Sequence, residues 1–505
     1  MKLTLLQRLS LVIALLVFTL LKVPCFATTA SPEASPVNHI IVIYLENRSF
    51  DNIYGFFPGA NGLSNATATA TQVDEQGKAY ATLPPVMNTN EDPPVIDKRF
   101  PANLPNQPFP IDRYVPINEI TGDLVHRFYQ QQAQINGGKM DGFARISDAG
   151  GLTMGYYEGS KLPLWQIAKN YTLADNFFHA AFGGSFLNHF WLVCACTPRY
   201  ENAPASLVAK LDGQGQLVKD GEITPDGYAV NTIEPLQAPH GAYNHDLSQL
   251  LPPQTMPTIG DRLSEKNIDW AWYSGGWNDA IAGKPDDYFQ FHHQPFAYFK
   301  QYAEGSSQRT QHLKDEKDFL TALQNGSLPP VSFYKPLGED NEHPGYSNLL
   351  QSDQKVATIL QKIQQSTVWK DSAVIITYDE NGGLWDHVAP PKGDRWGPGL
   401  RVPTIIVSPY AKKGFVDHTY YDTTSILKFI EHRYNLQPLG ERDARANDLN
   451  AAFDYSRPED RPINPTGQES GIIWWVVSAG VVLAGAITGS AVWLVRVRRS
   501  KRKSR

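Results

Sequence analysis

Cysteine is scarce in this chain, with three among 505 residues, and that number excludes a scaffold built on disulfides. Charged side chains are few as well, at 19%. Beside them stand 42% apolar and 11% aromatic residues, a composition that buries a core and excludes wholesale disorder. No internal repeat is visible, so a repeat array is not expected. Basic residues are missing where a nucleic-acid groove would need them. Ten of the 45 lie in the first 27 and the last ten positions, and the stretch between carries a formal net charge of −16. A body that acidic does not track a phosphate backbone, and no nucleic acid is expected as a ligand. At ~150 residues per domain the length admits two or three domains, or one large enzyme domain with insertions.

An uncharged apolar run stands near each end of the chain. Residues 1–27 read as an export signal: Lys2 and Arg8 precede a 13-residue apolar run (9–21), and small Cys25 and Ala27 set up cleavage after Ala27. An uncleaved anchor is the alternative, but the run is short for a hydrocarbon layer of ~30 Å. Residues 471–495 form 25 uncharged positions, enough to span at ~1.5 Å per residue, with Trp474, Trp475 and Trp493 near the ends. The tail 496–505 holds seven positive charges and no negative ones, which places it in the cytoplasm. The expected organisation is signal, leader (28–38), globular catalytic body (39–455), Pro-rich tether (456–470), one transmembrane helix and a basic inner tail. The body is then anchored on the extracytoplasmic side. Cys194 and Cys196 are all the cysteine left after cleavage, and they are expected as two packed thiols rather than a bridge.

Within the body the strongest strand candidates are short β-branched runs at 39–45 (HIIVIYL), 373–378 (AVIITY) and 402–408 (VPTIIVS). Unbroken runs of this kind suit strands buried on both faces. Helical patterns fall at 163–170, 346–366 and 420–434. The alternation predicts an α/β fold, a central mostly parallel sheet covered by helices on both faces. Repeated turn signals at 212–231 predict a small antiparallel insertion, and the Pro-rich stretch 83–110 predicts long surface loops.

Two of these strands end in acids. Glu46 and Asn47 follow the first, and Asp379 and Glu380 follow the second. In an open α/β sheet ligands gather at such strand ends, and three carboxylates with an amide form a cavity for a divalent cation. Gly382 and Gly383 allow close backbone approach. Taken singly, each acidic pair reads equally well as a cap. Ser185 follows Gly183 and Gly184 and opens an apolar stretch, which puts a hydroxyl and free N–H groups at a helix N-terminus. An ordinary capping serine is the plain alternative. His292 and His293 are adjacent among aromatics, and His126, His343 and His387 are further candidates for binding or proton transfer. The aromatics around the pair (Phe289, Phe291, Phe296, Tyr298, Phe299, with Trp270, Trp272 and Trp277) suit either a lipid or choline-like pocket or the core.

The strings ENRSFDNIYGFFPG, GGSFLNH, FHHQPFAYF, NEHPGYSN and YDENGGLWDHVAPP resemble the bacterial phosphoesterase family of acid phosphatases and phospholipases C, in the alkaline-phosphatase-like superfamily. The resemblance runs from about residue 39 to 436. It implies a serine nucleophile, Ser185, beside a divalent metal ion held by Glu46, Asn47, Ser185, Asp379 and Glu380. Asn47, His126, His293 and His343 would contact substrate, with His292 beside them; His387 receives no firm role. The implied activity is hydrolysis of phosphate esters by a bacterial membrane-anchored enzyme. An acid phosphatase acting on monoesters is expected first, and a phospholipase C is the alternative. A tethered binding protein that does not turn over remains the reading from another class.

Overall fold

The computed structural model describes residues 35–241 and 246–456. The export signal, most of the leader, the tether beyond Ser456, the transmembrane segment and the basic tail lie outside the described residues. Among the described residues no helix is long and apolar enough to cross a membrane.

Eight strands make the central sheet: β1 (His39–Leu45), β2 (Thr172–Ala174), β3 (Trp270–Ser274), β4 (Leu313–Asp315), β5 (Val331–Lys335), β6 (Ser372–Tyr378), β7 (Thr404–Val407) and β8 (Phe415–Asp417). Their spatial order is β4-β3-β5-β1-β6-β7-β2-β8. β1 lies between β5 and β6, parallel to both, with Leu45 beside Tyr378. All of β6 and all but the first residue of β1 are buried. The strand expected at 402–408 forms as β7, but it runs antiparallel to β6 and to β2, so the sheet is mixed. The reason lies in the connection. Residues 379–403 stay at the sheet edge where β6 ends, so the next strand can only run back.

Helices flank the sheet. The 163–170 pattern is realised as Pro163–Ala168, the 346–366 pattern as Leu349–Gln365 and the 420–434 pattern as Thr423–Tyr434. Caps set their starts: Asn348 accepts from Gln351 N–H, and Asp422 accepts from Thr424 N–H. The insertion is a two-stranded antiparallel ladder, Lys210–Leu211 with Leu217–Lys219. The stretch 83–110 is mostly irregular, though Leu83, Val86, Phe100, Leu104 and Phe109 reach the core. Cys194 and Cys196 form a disulfide, which corrects the expectation of two thiols. Ala195 between them adopts left-handed backbone (φ 48°) and folds the chain back, bringing the two Cα atoms to 5.1 Å.

A buried ion cluster ties the segment after β1 to the one after β6. Arg401, fully buried, donates to Asp386 (2.9 Å), to Asp51 (3.2 Å) and to the carbonyls of Asn61 and Asp175 (both 2.8 Å). His387 Nδ1 lies 2.6 Å from Asp51. His387 therefore belongs to this structural cluster. Replacing Arg401 by Met should cost about 3–5 kcal/mol, because two buried carboxylates lose their counter-charge; a denaturant titration reads that loss.

Glu431, on the Thr423–Tyr434 helix, is pushed up to about 8 by burial and then by Asp443. The folded chain thus holds a proton here that the unfolded chain releases at ordinary carboxylate pH. Stability should fall as pH rises from ~4.5 to 8. Glu431→Gln should flatten that part of the thermal-midpoint profile.

Candidate active site

Three neighbouring strands deliver side chains to one edge. β1 leads into Glu46 and Asn47, β6 into Asp379 and Glu380, and β5 ends in Lys335. The Leu45–Tyr378 register places Glu46 beside Asp379, and Asp379 N–H closes the ladder onto Leu45 O at 3.0 Å. All five side chains are buried. Asn47 takes left-handed backbone (φ 64°), a conformation asparagine tolerates. Its N–H donates to Asp379 Oδ1 at 3.2 Å. Gly382 faces it closely. A Cβ at that glycine would stand 2.5 Å from Asn47 O, and its own φ is +62°.

Ser185 is the first residue of helix Ser185–Cys194. Its Oγ donates to Asn47 Oδ1 at 3.1 Å. The Asn47 amide Nδ2 donates in turn to His343 Nε2 (2.9 Å) and stands 3.3 Å from His126 Nε2. His126 presents Nδ1 to the Leu124 carbonyl and His343 presents Nδ1 to the Pro344 carbonyl, which leaves Nε2 of the neutral His343 as an acceptor. His126 Nε2 is also 4.0 Å from Glu380 Oε1. On the other side His293 Nε2 donates to Glu46 Oε1 at 2.7 Å, with His292 Nε2 at 3.9 Å. The structure thus brings all nine expected residues into one connected cluster.

The electrostatics divide this cluster. Burial pushes Glu46 up, but His293 and Lys335 outweigh it and hold the carboxyl well below its usual range. Asp379 is pushed up to about 7, by burial first, with Lys335 opposing and Glu46 reinforcing. Glu380 is raised well above the ordinary carboxylate range, again chiefly by burial. Burial lowers His126 most, but Glu380 and Asp123 overcome it and carry the group up to about 9. His343, His292, His293 and the neighbouring His189 are all lowered, in each case mainly by burial.

These residues fit a divalent cation. Asp379 Oδ2 and Glu380 Oε1 are buried oxygens with no hydrogen-bond partner, an arrangement that costs several kcal/mol per charge unless a cation supplies the missing interaction. Asn47 Oδ1 and Ser185 Oγ are the adjacent neutral oxygens. Glu46, also expected as a ligand, places Oε1 against Lys335 (2.9 Å) and His293 and Oε2 against Asn341.

The cluster opens into a cleft of about 310 Å³ whose wall includes Glu46, His126, Ser185, His292 and His343. Asp123, Asp148, Asn231, Gln290 and Tyr346 complete it. A second cleft of about 390 Å³ shares Thr232, Gln290 and His292 with the first, and it is walled by Phe289, Phe291 and Tyr298 with Glu234, Asp286 and Asp287. Of the aromatics left open by the sequence, Phe289, Phe296, Tyr298, Phe299, Trp270, Trp272 and Trp277 are core and Phe291 is half-buried against it; Phe289, Phe291 and Tyr298 also border the second cleft.

The sequence profile of the Phosphoesterase family matches residues 37–437. The chain belongs to that family. Phospholipase C A of Mycobacterium tuberculosis is 25% identical over 460 residues, spanning 84% of this phosphoesterase and 78% of the relative. Non-hemolytic phospholipase C of Burkholderia pseudomallei is 26% identical over 478 residues, spanning 84% and 60%. A solved alkaline phosphatase superfamily protein from Vibrio parahaemolyticus aligns with 65% of this chain and 73% of its own at a TM-score of 0.32 and 12% identity. This phosphoesterase is a hydrolase acting on phosphoric ester bonds.

Sequence reasoning passed over Lys335 and Asn341. Lys335 carries the same signal that singled out Glu46 and Asp379, a charge at the end of a buried apolar run (VSFYK). Asn341 stands inside the NEHPGY motif, two residues before the histidine that drew attention.

Chelator-stripped phosphoesterase should gain thermal stability when a divalent cation is added, by about 2.7 kcal/mol at 100 times Kd. Asp379→Asn with Glu380→Gln should remove that gain, because the orphaned anionic oxygens are gone; calorimetry with and without the ion makes the comparison.

Proposed function

We propose that this phosphoesterase is a phospholipase C that cleaves phosphodiesters through a covalent intermediate on Ser185. The observation that carries the diester reading is the second cleft. It adjoins the first through Thr232, Gln290 and His292, so phosphorus held at Ser185 has room for a second substituent. The Mycobacterium and Burkholderia relatives, both named phospholipase C, point the same way. A monoester phosphatase needs only the first cleft.

Ser185 Oγ stands at the helix N-terminus, where partial positive charge favours an incoming phosphoryl group. Asn47 Oδ1 accepts its hydroxyl hydrogen and so aims the oxygen. A divalent ion bound by Asp379, Glu380, Asn47 and Ser185 would favour the serine alkoxide and offset charge on phosphorus. Ser185 Oγ then attacks phosphorus in line, the bond to the leaving alcohol oxygen breaks, and that oxygen takes a proton from His126 on the cleft wall, the imidazole that its carboxylate neighbours keep protonated. Asn47 Nδ2 and the Nε2 atoms of His126 and His343 face the position of the phosphoryl oxygens. Water attacks the phosphoserine from the side the alcohol left and frees Ser185. Positioning and charge neutralisation supply most of the acceleration, as in phosphoryl transfer generally. The export signal at 1–27 and the span at 471–495 complete the proposal, with the catalytic body outside the cytoplasm and held at a membrane.

Ser185→Ala should lower kcat by at least about 10³-fold, on the scale of losing a nucleophile, with an unchanged circular dichroism spectrum. Side-by-side assays on p-nitrophenylphosphorylcholine and p-nitrophenyl phosphate address the substrate class. Preference for the diester is expected; preference for the monoester would make the enzyme a phosphatase.

A further inference from the structure

Gln131 lies outside the catalytic cluster, on the helix Phe128–Ile135, and its side chain is wholly buried. Its amide is used at both ends. Oε1 accepts from Gly183 N–H at 2.9 Å, and Nε2 donates to Asn381 Oδ1 and to His179 Nε2, the latter at 3.0 Å. These partners fix which way the amide points. A backbone N–H can only donate, and His179 gives its Nδ1 hydrogen to Ala181 O at 2.8 Å, which leaves Nε2 as an acceptor. Burial lowers His179 to about 4 and so keeps it neutral in that role.

The two segments that meet at this amide carry the reacting groups. Gly183 stands two residues before Ser185, and Asn381 directly follows Asp379 and Glu380. Gly183 takes left-handed backbone (φ +91°), and a Cβ there would stand 2.7 Å from Phe128 N, so its loop lies against the start of the Gln131 helix. Asn188 braces the same loop, donating to the carbonyls of Ala181 (3.0 Å), Gly183 (3.3 Å) and Gly184 (3.1 Å). That brace comes from the serine's own helix and does not reach the acids. Asn381 Nδ2 likewise serves its own turn, donating to Leu384 O at 2.7 Å. Asn47 links Ser185 to Asp379 from within the cluster, through Oδ1 and its backbone N–H. Gln131 links the same two segments from behind, as a side chain belonging to neither.

We propose that Gln131 is a positioning residue for hydrolysis, its amide setting the Ser185 oxygen against the Asp379–Glu380 carboxylates by holding Gly183 to Asn381. Attack in line tolerates little error, and a displacement of ~1 Å costs about 10²-fold in rate. The inference rests on the proposed function for Ser185 as the nucleophile. A Ser185→Ala control keeps the two apart: turnover by that variant sinks the nucleophile, whereas an inactive Ser185→Ala beside a normal Gln131 variant sinks only the positioning role.

The test is Gln131→Met in the full chain, a near-isosteric change that removes all three hydrogen bonds. With whichever of the two chromogenic esters is turned over, kcat should fall about 10²-fold while KM stays within about threefold. Inhibition by inorganic phosphate should change little. Inhibition by orthovanadate, whose trigonal-bipyramidal adduct needs the serine in line, should weaken in step with kcat. An unchanged kcat overturns the inference. So does a lower kcat with both inhibition constants intact, which marks a smaller folded fraction, and so does equal weakening of phosphate and vanadate. Should Gln131→Met not fold, Gln131→Glu decides. Its ionised carboxylate keeps the Gly183 bond but turns an acceptor toward Asn381 Oδ1, and its protonated form is an isostere of glutamine with the donor restored. The ratio of its kcat to that of wild type should therefore rise as pH falls, and a flat ratio overturns the inference.

Discussion

Buried negative charge at the end of β1 and β6 is the constraint on which the rest of this phosphoesterase depends. Glu46, Asp379 and Glu380 are all but inaccessible to water, and an unpaired carboxylate there is held against a steep desolvation cost. The chain supplies two partial answers. On the β5 side Lys335 and His293 keep Glu46 ionised. On the far side the cations stand off, Lys335 Nζ at 3.9 Å from Asp379 Oδ2 and His126 Nε2 at 4.0 Å from Glu380 Oε1, and both carboxyls are raised instead. That imbalance makes the place a site for a cation and sets Ser185 and Asn47 beside it.

The Arg401 cluster shows the same physical problem solved the other way. Asp51 and Asp386 are as deeply buried, but a guanidinium and His387 occupy their oxygens from within the protein. With its carboxylates hydrogen-bonded internally, such a cluster locks the segments after β1 and β6 together. The carboxylates of both clusters come from the same two motif strings, ENRSFDN and YDENGGLWDH, a few residues apart in each. One stretch of chain thus builds both the rigid support and the reactive centre, and Gly382, which admits Asn47 O where a Cβ would clash, lets the two strand ends close on each other.

Much of this was legible in the residues. Three buried strands, three helices and the small antiparallel insertion were readable from periodicity and turn signals, because burial on both faces and amphipathic spacing are local properties. The nine candidate residues were readable from strand-end position, glycine context and motif resemblance. The direction of β7 was not. A strand buried on both faces carries the same pattern whichever way it runs, and only the return of residues 379–403 along one edge reverses it. The Cys194–Cys196 bridge was missed because it depends on the left-handed turn at Ala195. Lys335 was missed because a lysine after an apolar run reads as a strand leaving the core for solvent.

The sequence by itself determined which side chains can do chemistry here: carboxylates and an amide at strand ends, a serine behind two glycines, histidines in aromatic surroundings. Their positions are read from local spacing, while the family and the reaction class follow from the resemblance of the motif strings and from the family profile. The tertiary structure decided how charge is apportioned among them. Whether a carboxylate meets an ammonium, an imidazole or an empty cavity depends on which strands are neighbours. The order β5-β1-β6 sets β1 between two strands that follow it hundreds of residues later in the chain, and no local pattern encodes it. The tertiary structure also decided which aromatics border a second cleft, since that choice is made by packing partners far apart in the chain.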